Sequence, residues 1–236
     1  MAHDGPFVTI RAVIFDLYGT LVPEFPHEDF FASIDHMAFI LGADPVAFRD
    51  GWNDTVELRQ TGGFATLEEN VLAITAKLGL AEPSPVDVTK ALARRAEMYD
   101  RWFHPRAGAI ETLSELHARG FPLALISMCA PDTPPMWHAS PFAGLVDVEV
   151  FSSEVGLRKP DPAIYRYACE RLGVEPADCL YCGDGAYREL SGATEVGMTA
   201  VEIRDPAVDI TTLLHLEGED WSGIRIADLR EVLSMV

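Results

Sequence analysis

The chain is short of positive charge: among 236 residues it carries 18 Lys and Arg against 37 Asp and Glu, a formal net charge of −19. A surface dominated by carboxylates is repelled by phosphate backbones and anionic lipid headgroups, which argues against nucleic acid and membranes as partners. No apolar run is long enough to span a bilayer, and the N-terminal stretch lacks the charged start, apolar centre and small-residue cleavage site of a signal peptide. Only four cysteines are present, and a chain of this length has no need of disulfide staples. Cys179-Leu180-Tyr181-Cys182 has a redox spacing but lies in an apolar segment that reads as a strand, where residues three apart point to opposite faces, so core filling is its expected role. No internal repeat or low-complexity segment stands out. These absences predict a soluble, cytoplasmic protein, and they leave its oligomeric state open.

What is present begins with Ala12-Val13-Ile14-Phe15-Asp16-Leu17-Tyr18-Gly19, a short apolar run closed by an aspartate and a glycine turn. Such a run reads as a fully buried strand, which leaves its last side chain at the carboxyl edge of a sheet, where open α/β sheets bind ligands. Val22-Pro23 then breaks the pattern, and the chain is helical in character to about Phe103, with one apolar face through Phe30, Ile34, Met37 and Phe39 to Leu41 and another through Leu67, Val71, Leu72, Ile74 and Leu78. After His104-Pro105 come a helix through Leu116, a strand over 122–127, a Pro-rich stretch over 131–141 that reads as a loop, and a strand over 146–151. A helix over 161–172, the strand 179–182, a helix ending near Gly197 and a strand over 199–203 complete the pattern. Strands alternating with helices predict an α/β fold with a doubly wound parallel sheet. A helical block of roughly eighty residues interrupts it after the first strand, too long to be a loop.

Three later segments place chemistry at strand ends. Ser127 closes the second strand, where its hydroxyl and the following backbone N–H groups suit anionic oxygens. Lys159 precedes Pro160-Asp161-Pro162, in which two prolines stiffen the entry to a helix and Asp161 suits its cap. Gly183-Asp184-Gly185 follows the strand 179–182, and Glu189 comes one helical turn later.

Taken in order, these four segments resemble the motifs of the haloacid dehalogenase-like (HAD) hydrolases. The resemblance implies a Rossmann-like core of residues 1–21 and 104–236, and an inserted helical cap of 22–103 with hinges at its two ends. It implies that Asp16 is the nucleophile and that Mg2+ is held by the Asp16 carboxylate, the Tyr18 backbone carbonyl and the Asp184 carboxylate. Lys159 and Ser127 would neutralise a phosphoryl group. Glu189 stands where family members commonly have Asp, and its role is open between holding Lys159 and holding a metal-bound water. Two positions depart from the pattern: Met128 where Asn often follows the serine, and Tyr18 where most phosphatases of the family carry a second aspartate.

The resemblance favours a magnesium-dependent phosphatase acting on a small-molecule substrate, a small phosphorylated metabolite, through an aspartyl-phosphate. The Asp-x-Tyr-Gly-Thr pattern also resembles the 2-haloacid dehalogenases, which form an aspartyl ester without metal and use a cap arginine, with Arg49 or Arg59 as candidates here. Those enzymes lack the Gly183-Asp184 pair. An idle domain that binds a metabolite or protein is the remaining alternative. Trp52, Trp102 and Trp137 are expected to pack rather than to line the cavity.

Overall fold

The computed structural model describes residues 9–204, 206 and 219–236. Its sheet has six parallel strands in the order β3-β2-β1-β4-β5-β6: β1 (Ala12–Phe15), β2 (Leu123–Ser127), β3 (Val148–Phe151), β4 (Cys179–Gly183), β5 (Thr199–Ile203) and β6 (Ile224–Ile226). Side chains alternate across β1, so Val13 and Phe15 join one apolar cluster while Ala12 and Ile14 join the other. Cys182 and Cys179 divide in the same way, as their spacing predicts. All four cysteines are buried thiols. Both sheet faces are therefore covered, one by α6 (Ala109–Ala118) and a C-terminal 3-10 turn over Leu229–Ser234, the other by α9 (Pro162–Leu172) and α10 (Glu189–Glu195), with the one-turn α8 (Ser152–Val155) following β3. The strand order reverses between β1 and β4, and a reversal of this kind opens a crevice beyond the carboxyl ends of the two strands.

Between β1 and α6 lie five helices, α1 (His27–Ile40), α2 (Pro45–Asp54), α3 (Val56–Gln60), α4 (Leu67–Lys77) and α5 (Pro85–Trp102). They bury a cluster of their own around Ile34, Phe48, Trp52, Val71, Ile74 and Val88, to which the rest of the chain adds Ala130. Asp44, Thr66 and Ser84 cap α2, α4 and α5 by accepting backbone N–H groups of the first turn, which is why each helix starts where it does. Asp161 caps α9 in the same way, accepting from the Ala163 N–H at 2.8 Å.

Several elements differ from expectation. Phe39 is 81% exposed, because the buried stripe of α1 runs through Ser33, Ile34, Met37 and Ala38 and leaves position 39 outside it. The Pro-rich stretch contains a helix, α7 (Thr133–His138), since Pro134 and Pro135 fall in its first turn, where a missing N–H costs nothing. Strand β6 has three residues, two of them exposed, and offers no apolar run to read.

Among the described residues, no helix is long and apolar enough to cross a membrane.

Candidate active site

Asp16 follows β1 directly, and its N–H donates to the Cys182 carbonyl of β4 at 2.9 Å, so the first residue past β1 is pinned beside the end of the neighbouring strand. Lys159 reaches it from the segment just before α9. The ammonium is 1% exposed and donates to Asp16 Oδ1 and to Glu189 Oε2, both at 2.5 Å. Burial opposes that charge, but the two carboxylates outweigh it and hold the lysine pKa above its ordinary value. Glu189 is itself fixed by donors: Tyr181 Oη at 2.6 Å to Oε2 and the Gly185 N–H at 3.1 Å to Oε1. Asp184 completes the group, and one carboxylate oxygen from each of Asp16, Asp184 and Glu189 lies within 4.8 Å of the others. The crevice thus brings together Asp16, Lys159, Asp184 and Glu189.

The glycines of two motifs have a steric reason. Gly19 sits at φ +76°, and a Cβ there would run into the Asp184 carboxylate; one at Gly183 would strike that of Glu189. The loop after β1 is also held from outside, by the Arg106 guanidinium donating to the Gly19 carbonyl at 2.6 Å. Beyond Gly185 the backbone takes two consecutive left-handed non-glycine residues, Tyr187 and Arg188, a strain of about 1–3 kcal/mol each of the kind that collects at functional sites.

Electrostatically the cluster is short of cations. Burial and then Glu189 raise the Asp16 pKa to about 7, with Lys159 opposing. Burial, Glu189, Asp16 and Glu24 raise that of Asp184 well above the carboxylate range. Three close carboxylates with one ammonium leave a net negative charge, and all of their donors are hard oxygens; this set fits Mg2+.

Ser127 is fully buried at the end of β2, and its Oγ has no hydrogen-bond partner among the described residues. Met128, where the motif pattern has Asn, turns its sulfur toward the lysine loop and accepts from the Lys159 N–H at 3.3 Å. Tyr18 is partly buried, with its hydroxyl 2.9 Å from Thr133 Oγ1, and burial first, then Tyr99 and Asp132, push the phenol pKa well above its usual value.

Tyr18 and Met128 open onto a cavity of about 90 Å3 between the sheet edge and the helical block, lined also by Glu24, Phe25, Arg59, Arg95, Tyr99 and Tyr187. Of the two candidate arginines, Arg59 lies here and is 4% exposed, whereas Arg49 is half-exposed and ion-paired with Asp35 on the outer surface of the block. Trp52 and Trp137 are buried in apolar clusters, and Trp102 donates its indole N–H to Asp29 at 2.7 Å; none lines the cavity. Sequence reading missed Glu24, Arg95 and Tyr187. A signal existed for Arg95: it falls on the stripe Val88, Ala91, Arg95, Met98 and Tyr99, the buried face of α5.

Comparison with known proteins agrees with this geometry. A glyceraldehyde 3-phosphate phosphatase of Methanopyrus kandleri is 31% identical over 127 residues, 52% of this chain and 54% of that protein, so the chain spans about half of its length. An (S)-2-haloacid dehalogenase 4A of Burkholderia cepacia is 26% identical over 217 residues, 88% and 90% of the two chains. The crystal structure of a HAD phosphatase from Thermococcus onnurineus shares the fold, with a TM-score of 0.65, 22% identity and 96% and 97% of the two chains covered. The family model described as haloacid dehalogenase-like hydrolase matches residues 10–197, and the chain belongs to that family of hydrolases.

Proposed function

We propose that this hydrolase is a magnesium-dependent phosphatase of a small phosphorylated metabolite, with Asp16 as nucleophile and residues 22–103 as a cap over the site. The observation that carries this reading is the surplus of carboxylate around Asp16: a dehalogenase that works without metal has no use for Asp184 packed against Gly19 beside Asp16 and Glu189.

In this reading Mg2+ is held by the carboxylates of Asp16 and Asp184 and by the backbone carbonyl of Tyr18. When bound, the ion neutralises negative charge on the phosphoryl group and on its attacker. Lys159 favours the ionised form of Asp16 and orients it, since its ammonium sits on Oδ1 at 2.5 Å and opposes the rise in its pKa. Ser127 supplies a buried hydroxyl whose Oγ has no hydrogen-bond partner of good geometry among the described residues, which leaves it available to a phosphoryl oxygen. Asp16 attacks phosphorus, the P–O bond to the leaving group breaks, and water then cleaves the aspartyl-phosphate. Glu189 holds Lys159 from the opposite side and fixes the Gly185 turn that presents Asp184. The helical block covers the crevice and limits its water.

A second reading, the 2-haloacid dehalogenase, is favoured by Tyr18. Its buried phenol is a poor proton donor, and halide leaves without a proton. The two readings separate in one assay. A phosphatase releases phosphate from an aryl phosphate, whose leaving group needs little protonation, only with magnesium; the reading fails if phosphate release is absent while a 2-chloro acid loses chloride in the presence of a chelator.

A further inference from the structure

The amino end of the sheet, opposite the crevice, brings two thiols together. Cys169 in the last turn of α9 and Cys179 at the start of β4 place their sulfurs 3.7 Å apart, although they are ten positions apart in the chain. Both belong to the apolar cluster between α9 and the sheet, at 2% and 0% exposure. Among the described residues no other two thiols are hydrogen-bonded: Cys182 belongs to the opposite sheet face, and Cys129 meets the Ser153 hydroxyl.

The two sulfurs are not equivalent. Cys179 carries one proton and has two acceptors in reach of it, the Glu175 carbonyl at 3.4 Å and Cys169 Sγ at 3.7 Å. The hydrogen bond from Cys179 draws the Cys169 thiol below its ordinary pKa, against burial and the charges of Glu175 and Glu170. The same bond, and then burial, push Cys179 well above its own. Cys169 also lines a surface cavity of about 750 Å3, walled by Arg11, Arg166, Glu170 and Glu175, and Cys179 does not. Cys169 is therefore both the better thiolate and the sulfur nearer to solvent, with Cys179 behind it. An exposure of 2% admits a small uncharged oxidant but not a bulky one such as oxidised glutathione.

We propose that Cys169 and Cys179 are an oxidisable dithiol, which hydrogen peroxide converts to an intramolecular disulfide that ties the end of α9 to the start of β4. The Cys169 thiolate attacks one peroxide oxygen, the O–O bond breaks, and the hydroxide released takes up the proton lost by Cys169 and leaves as water. Cys179 then loses its proton and attacks the sulfur of the Cys169 sulfenic acid; the S–S bond forms, the S–OH bond breaks, and a second water leaves. In all, two thiols give up two electrons and one peroxide becomes two waters. The sulfurs must approach by about 1.7 Å to reach a disulfide length of about 2.04 Å. None of residues 170–178, which link them, is buried, so no packed side chain of that segment resists the movement. Lys159 lies just before α9, and Asp184 follows the five residues of β4, about 16 Å from Cys179. The staple thus joins the far ends of the two elements that carry these groups without entering the crevice, whichever reaction Asp16 performs.

The test treats the protein with a small excess of hydrogen peroxide, denatures it in N-ethylmaleimide and maps its peptides by mass. Cys129 and Cys182 should carry the label, and a disulfide-linked species joining Cys169 to Cys179 should appear and be removed by dithiothreitol. Label on all four cysteines, or a different pairing, overturns the proposal in the unaltered protein alone. Closing a loop of this length should raise the melting temperature of the oxidised protein by about 5–10 °C over the reduced form; a disulfide formed with no rise overturns the staple. Cys179→Ser keeps a hydrogen-bond donor but no second sulfur, and should leave a sulfenic acid on Cys169 that dimedone captures. Cys169→Ser should leave Cys179 as a thiol; capture of a sulfenic acid there overturns the assignment of Cys169 as the sulfur that peroxide meets first.

Discussion

Replacing Lys159 with methionine removes the one cation paired with Asp16 and Glu189 among the described residues while keeping a side chain of similar length. Both carboxylates are left buried, at 7% and 1% exposure, and removing one partner of a buried ion pair costs about 3–5 kcal/mol. The pH dependence has a definite sign. Asp16 titrates at about 7 in the folded protein against 3.8 for the ordinary group, so its contribution to stability is complete at low pH and is lost as pH rises through that raised value. Lys159 is an influence that lowers the Asp16 pKa, and without it the carboxylate holds its proton to still higher pH. The cost of Lys159→Met is therefore greatest above about pH 7 and shrinks toward pH 5, where Asp16 is protonated in the fold. Urea denaturation of both proteins without metal, at pH 5 and pH 8, measures this directly. A loss under about 1 kcal/mol at pH 8, or equal losses at the two pH values, refutes the argument that the lysine offsets a buried excess of carboxylate.

Other substitutions separate chemistry from folding. Ser127→Ala removes a hydroxyl whose Oγ has no hydrogen-bond partner of good geometry among the described residues, so the urea midpoint should move by less than about 1 kcal/mol while kcat/KM on aryl phosphate falls about tenfold; a stability loss without an activity loss contradicts the phosphoryl role. Gly19→Ala should abolish magnesium-dependent turnover, because a Cβ at that position and φ displaces Asp184; retention of more than a tenth of the activity shows that Asp184 need not sit there. Tyr18→Asp introduces a group able to protonate an alkoxide, so alkyl phosphate hydrolysis should rise, by at most about 10²–10⁴-fold, at some loss of stability from the Phe25 and Tyr99 ring contacts; unchanged alkyl rates mean that proton donation is not limiting. Tyr181→Phe removes the 2.6 Å hydrogen bond to Glu189 and should cost about 1.5–3 kcal/mol in urea denaturation, with no change marking that bond as unimportant to the lysine clamp.

Much of the fold was legible because its signals are local. The apolar run before Asp16, the paired prolines around Asp161 and the glycines flanking Asp184 each announce a strand end or a turn in a few residues, and the structure has them there. Strand β6 carried no such signal, since Ile224 is 46% exposed and its neighbour is Arg225, which is ion-paired with Glu202. The helix inside the Pro-rich stretch was hidden because proline reads as a breaker until its place in the first turn is known. At the site, side chains that follow strand ends were readable one at a time, as with Asp16, Ser127 and Asp184. Arg59 was readable as one of two candidate cap arginines, whereas Arg95 was not, because its buried pairing with Asp132 and the Tyr99 hydroxyl is fixed only when α5 meets the segment before α7. Arg49 shows the converse: its sequence position suited the cavity as well as that of Arg59, but Asp35 on α1 claims it.

The account depends most directly on Asp16 taking up the phosphoryl group. Acid quenching of the protein during turnover of an aryl phosphate with magnesium, followed by peptide mass mapping, should find phosphate on the peptide containing Asp16 and on no other, and none when magnesium is withheld. A phosphorylated peptide elsewhere, or an organic ester on Asp16 formed from a 2-chloro acid in the presence of a chelator, would contradict it.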